Sequence, residues 1–161
     1  MTVNTPNQPK KWPNCVVGIL VCLLLGMLSG YFSGSGPNTW YQQLQQPSFT
    51  PPPWLFGPVW TVLYIMIGIT AGYLWSRRND TRSLFNLFVL QLILNLIWSP
   101  IFFGFHQITL AAINICLLWL FLIILLVRAA VSHRCVTYLL LPYTAWVSFA
   151  MVLNITLAFL N

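Results

Sequence analysis

The stretch Asn95-Leu96-Ile97-Trp98-Ser99-Pro100-Ile101-Phe102-Phe103-Gly104-Phe105-His106-Gln107 decides how this chain is folded. It sits inside a run from Ser83 to Ala130 that carries a single charge, Arg128. As one helix that run would be about 70 Å long, more than twice a hydrocarbon core of roughly 30 Å. The run must turn back on itself. Pro100 removes a helical N–H, and Gly104 through Gln107 supply the turn.

Composition says what kind of solvent the chain is built for. Of 161 residues, 58% are hydrophobic and 5% charged, and Asp80 is the sole acid. Soluble domains carry about a quarter charged residues, so these few cannot cover a water-facing surface. The expectation is an all-α integral membrane protein. Residues 1–13 form a polar tail, and a single domain over 14–161 holds five spans: Asn14–Ser33, Trp54–Ser76, Ser83–Phe103, Gln107–Val131 and Cys135–Leu160.

The basic residues support that count. Lys10 and Lys11 precede the first span, Arg77, Arg78 and Arg82 fall between the second and third, and Arg128 and Arg134 lie between the fourth and fifth. Five crossings put all three groups on one side; four would not. The positive-inside rule then places the N-terminus in the cytoplasm and the C-terminus outside. The net charge of +6 therefore reads as topology, not as a nucleic-acid footprint. The first apolar run is longer than a signal peptide needs, so it is read as a retained span. Cys15, Cys22, Cys116 and Cys135 show neither metal-ligand nor disulfide spacing and read as buried small hydrophobes.

Three features could carry function. The uncharged segment from Trp40 to Trp54 holds four prolines and four aromatics, which suits either a rigid interfacial connector or a lid across the bundle mouth. Polar and aromatic side chains recur at helical spacing: Trp60 and Tyr64; Gln91, Asn95 and Trp98; Trp146, Ala150 and Asn154. Amides and indoles facing inward suit a flat apolar ligand, and they equally suit bonds between helices. Gly18, Cys22, Gly26, Gly30 and Gly34 recur every four residues, with Gly68 and Gly72 in the second span. This is a close-approach surface for either an internal seam or a dimer. No paired carboxylates are present, and His106 and His133 fall on opposite sides of the membrane, so neither a catalytic constellation nor a metal site is expected.

These segments resemble the translocator protein family, also called tryptophan-rich sensory proteins or TspO/MBR. The matching stretches are Trp40-Tyr41, Leu44 through Pro52, Gly57-Pro58-Val59-Trp60 with Tyr64, Gln91 with Asn95 through Gly104, and Leu141-Pro142-Tyr143-Thr144-Ala145-Trp146. The family commonly has Trp where this chain has Phe49. The resemblance implies a five-helix bundle, commonly dimeric, with the first loop over a pocket for porphyrins. In animal members the pocket also takes cholesterol and synthetic drugs. Carried over by position, ligand-binding residues would be Trp54, Trp60, Tyr64, Asn95, Trp98, Trp146 and Ala150. The animal C-terminal cholesterol motif has no counterpart at Val152-Leu153-Asn154-Ile155 or beyond, which suggests a bacterial member.

The resulting expectation is a receptor or carrier for porphyrin-like ligands, active in tetrapyrrole or stress regulation. A porphyrin or haem precursor, sterol or lipid would be ligand, and no cofactor would be required. One alternative is light-dependent porphyrin degradation, which the resemblance ties to Trp60 and Trp146. The other is a non-catalytic scaffold holding lipid.

Overall fold

Among the described residues, five helices are long and apolar enough to cross a membrane. The structure, a computed structural model, describes residues 12–34 and 39–161. The tail up to Lys11 and residues 35–38 of the first loop, which the sequence reading also covers, lie outside the described residues. In chain order the elements are α1 (Trp12–Phe32), a short α2 (Thr39–Gln43), a 3-10 turn (Pro53–Leu55), α3 (Phe56–Ser76), α4 (Arg78–Ser99), α5 (Ile108–Ser132) and α6 (Arg134–Leu160). Helices α1, α3, α4, α5 and α6 are the five spans, and their ends fall close to the expected limits. The larger difference is the start of α4, which begins at Arg78 instead of Ser83. Two non-helical residues, Arg77 and Thr81, bend the chain there. The Thr81 hydroxyl donates to the carbonyls of Leu74 and Arg77, closing the hairpin.

Pro100 does not end its helix. The chain continues through a π turn over Pro100–Gly104, with the Phe105 N–H bonded to the Pro100 carbonyl at 2.9 Å. A wider turn accommodates the proline ring without breaking the helix. The missing proline N–H would have bonded the Leu96 carbonyl, and the Ser29 hydroxyl of α1 donates to that carbonyl at 2.6 Å. The reversal comes at His106, which has φ 57°, and its ring stacks on Trp40 at 4.2 Å.

Hydrocarbon is as apolar as a protein core, so helices in a bilayer meet through close packing and polar bonds. Both operate here. Helices α1 and α3 cross at Gly18, Gly68 and Gly72, where any Cβ would run into main-chain atoms of the facing helix. These glycines therefore form an internal seam. Elsewhere the Trp119 indole donates to Ser148 at 2.8 Å, joining α5 to α6, and the Asn114 amide donates to the Leu94 carbonyl at 2.9 Å, joining α5 to α4. Leu118, Leu122, Leu125 and Ala129 form one buried stripe along α5 against Leu140, Tyr143 and Phe88.

The segment from α2 onward lies at the end of the bundle away from the arginines. Tyr41 packs edge-on to Phe102 and Phe103, and Phe49 meets Phe149. The Asn161 side chain holds the Gln45 backbone at both its N–H (2.9 Å) and its carbonyl (3.2 Å). Burial raises the Tyr41 phenol above its ordinary pKa. The cysteine expectation needs correcting: Cys22 is buried, Cys15 half-buried, and Cys116 and Cys135 are exposed. Cys116 sits on an outward face of α5, and Cys135 is the second residue of α6, at the arginine end of the bundle.

Candidate ligand cavity

A cavity of about 610 Å³ opens between α1, α3, α4 and α6, in the half of the bundle nearest the proline-aromatic segment. All seven residues carried over by position line it: Trp54, Trp60, Tyr64, Asn95, Trp98, Trp146 and Ala150. Helical spacing explains why they converge. Trp60 and Tyr64 are one turn apart on α3, Trp146 and Ala150 one turn apart on α6, and Asn95 and Trp98 share a face of α4. Trp54 comes from the 3-10 turn and is largely exposed at the mouth.

The rings form supported walls. Trp60 lies against Tyr64 (5.6 Å between centroids) and Tyr143 (6.4 Å). Trp146 lies against Phe56 (6.0 Å) and Phe149 (5.6 Å). Trp98 stacks on Phe102 at 5.2 Å with the planes 18° apart. Each indole thus has aromatic backing and a fixed orientation.

Hydrogen bonds decide which polar groups a ligand could meet. The Tyr64 hydroxyl donates to Asn95 Oδ1 at 2.8 Å and the Asn95 amide nitrogen is turned toward the Tyr143 oxygen, so what that side chain still offers a ligand is its remaining N–H. Trp98 Nε1 donates to Asn154 Oδ1 at 2.9 Å, and Asn154 Nδ2 donates to the Ile108 carbonyl at 3.2 Å. Trp98 therefore presents only its ring, while Asn154 ties α4, α6 and the start of α5 together. The indole N–H groups of Trp60 and Trp146 have no partner among the described residues, which leaves them as donors. Gln91 does not reach the cavity: it is fully buried and accepts from the Tyr143 hydroxyl at 3.0 Å. The polar face on α4 is thus split, with its inner amide used for packing and its outer one at the cavity wall.

The contribution of α1 was not read from the sequence. Gly26, Ser29 and Gly30 line the cavity. The four-residue glycine ladder was the available signal, but only its inner end forms the seam with α3. A Cβ on Gly26 would enter the Tyr64 ring, and one on Gly30 would meet nothing within 4 Å. The outer end of the ladder leaves space instead of closing it. His106 and His133 lie at opposite ends of the bundle. Among the described residues the cavity lining holds no carboxylate, histidine or cysteine, so it can stack, exclude water and donate hydrogen bonds, with the Tyr64 phenol, already bonded to Asn95, as a titratable group on its wall.

The TspO/MBR family model matches residues 18–160, a stretch that contains every cavity residue. The chain belongs to the TspO/MBR family. It is 39% identical over 145 residues to a tryptophan-rich protein TspO of Chlorobaculum tepidum, covering 88% of this chain and 91% of that one. A tryptophan-rich protein TspO of Archaeoglobus fulgidus is 38% identical, with 91% and 95% covered. The human translocator protein is 34% identical, with 86% and 85% covered. Family membership and five apolar spans make this a multi-pass membrane protein. The family relation covers nearly the whole bundle, including the cavity and the segment over it.

Proposed function

We propose that this protein is a membrane receptor or carrier that takes flat, hydrophobic, porphyrin-like ligands into the aromatic cavity and acts in tetrapyrrole or stress regulation. The observation that carries the reading is the cavity: a ligand-sized space walled by Trp60, Trp98 and Trp146, with Tyr64–Asn95 on one wall. Indole faces stack on a planar ring, and the N–H groups of Asn95, Trp60 and Trp146 suit acceptors at its edge. The names of the relatives, tryptophan-rich protein and translocator protein, agree with such a role.

A second reading rests on Trp60 and Trp146 both facing the same space. An indole can give an electron to a photoexcited tetrapyrrole, with dioxygen as the terminal oxidant, and that chemistry needs no general acid or base. One comparison separates the readings: purified protein with protoporphyrin, in the dark and in light, for the wild type and a Trp60→Phe/Trp146→Phe chain. Saturable binding in the dark with no protein-dependent product in light is the expected outcome. A product that the double substitution abolishes would establish the enzyme. Absence of saturable binding would sink both readings, leaving lipid as the cavity's occupant. Asn95→Ala is expected to weaken binding; unchanged affinity would remove that amide from the site.

The receptor is taken to work as a homodimer, with the N-terminus and the arginines in the cytoplasm and the cavity mouth on the far side. Single cysteines at Gln43 and Asn79, in a chain lacking its native cysteines, test the orientation. A membrane-impermeant thiol reagent added to intact cells is expected to label position 43 and to reach position 79 only after lysis. Labelling of both from outside would overturn the topology.

A further inference from the structure

On the arginine side of the bundle, a second hollow of about 510 Å³ runs along the outer surface between α4 and α5. Its lining changes character with depth. Arg82, Ser83 and Asn86 lie at the membrane-boundary end of α4, Leu87 and Leu90 follow further in, and Arg128 of α5 completes the wall. Arg82, Asn86 and Leu90 are four residues apart and share one face, so the ladder descends about 12 Å from cation to hydrocarbon. A headgroup and the start of an acyl chain occupy that kind of space.

The charge balance points the same way. Asp80 is the only acid in the chain, and it lies in a different, polar cleft with Arg77, Arg78 and His133. Neither Arg82 nor Arg128 has a carboxylate partner among the described residues. Arg128 is set within α5, four residues before its last residue. One of its guanidinium nitrogens donates to the Ser83 hydroxyl at 2.9 Å, which aims the group across the hollow. Two exposed guanidiniums without a carboxylate partner among the described residues, above Leu87 and Leu90, suit an anion supplied by the bilayer. Arginine's planar fork binds phosphate oxygens two at a time.

We infer that the α4–α5 hollow is a seat for an anionic phospholipid, its phosphate held by Arg82 and Arg128 and its acyl chain laid along Leu87 and Leu90. The site is separate from the aromatic cavity, on other helix faces and at the opposite end of the bundle.

Native mass spectrometry of the full chain in neutral detergent provides the test. Phosphatidylglycerol and phosphatidylcholine of matched chains serve as probes. The wild type is expected to retain phosphatidylglycerol about thirtyfold better, each arginine giving roughly a fivefold preference. Arg82→Gln/Arg128→Gln is expected to lose that preference while keeping the wild-type unfolding midpoint and porphyrin titration. Arg82→Lys/Arg128→Lys guards against a folding defect and should keep part of it. Arg78→Gln/Arg134→Gln removes the same charge elsewhere and should leave it intact. Equal retention of the two lipids by the wild type would overturn the proposal. So would an equal loss from the Arg78/Arg134 chain, which would mean diffuse interfacial charge. Displacement of the lipid by millimolar inorganic phosphate would also overturn it, marking a free-anion site in place of a lipid seat.

Discussion

A Gly68→Leu chain is expected not to assemble its bundle. A Cβ at Gly68 would collide with the backbone of Gly18 and Ile19, and these atoms cannot swing aside as a side chain would. Helix α1 would have to lift off α3, and with it would go the close contact at Gly18 and Gly72. Overpacking usually costs 1–3 kcal/mol. Here main chain meets main chain, so the cost should be about 3 kcal/mol or more. Asn14 to Ser76, a 2.8 Å side-chain bond at the arginine end of the same pair, would separate too. Size-exclusion chromatography in detergent should show aggregate, or a species with a much lower unfolding midpoint. Gly57→Ala is the comparison, because a Cβ there meets nothing within 4 Å. Similar midpoints for the two chains would refute the seam.

The second large effect is on binding and leaves the fold alone. Gly30 lines the cavity, and a Cβ there faces open space. Gly30→Phe should therefore place a ring in the volume a ligand would use, without moving α1. Porphyrin affinity, read by titrating porphyrin absorbance, is expected to fall at least about 100-fold, or roughly 2.7 kcal/mol. The unfolding midpoint should hold or rise, because a glycine has left a helix interior. Undiminished affinity would mean that the ligand binds outside this cavity. An equal loss of stability would mean that the side chain had turned into the bundle. Gly26→Ala makes a graded companion, since its methyl would push Tyr64 off Asn95.

Gly18 and Gly30 show how one sequence feature divides in space. A ladder at every fourth residue of the first span marks a surface where something comes close. It does not say what. At Gly18 the neighbour is the backbone of α3; at Gly30 it is empty volume. The same division applies to the polar positions. Gln91 and Asn95 are one turn apart on one helix, yet Tyr143 closes over Gln91 while Asn95 stays at the cavity wall. Trp98 and Asn154, far apart in the chain, satisfy each other. Each outcome depends on the angle and depth at which two helices cross, and side-chain spacing along one helix carries no information about that.

The break at Pro100–Gln107 was legible because it follows from length alone: no helix of that extent fits a bilayer. The form of the break was not legible. Pro100 lies within a π turn, and the Leu96 carbonyl is satisfied by Ser29 of α1, which only the assembled bundle brings near.

By itself the sequence determined the solvent, the number of crossings, the gathering of the arginines at one end, and the family. Hydrophobic length and charge placement act locally, residue against bilayer. The tertiary structure decided which glycines pack and which leave room, which amides are spent on other helices, and where the cavity and the arginine-lined hollow lie. In a bilayer these depend on close contact between helices, because apolar side chains gain almost as much from lipid as from one another.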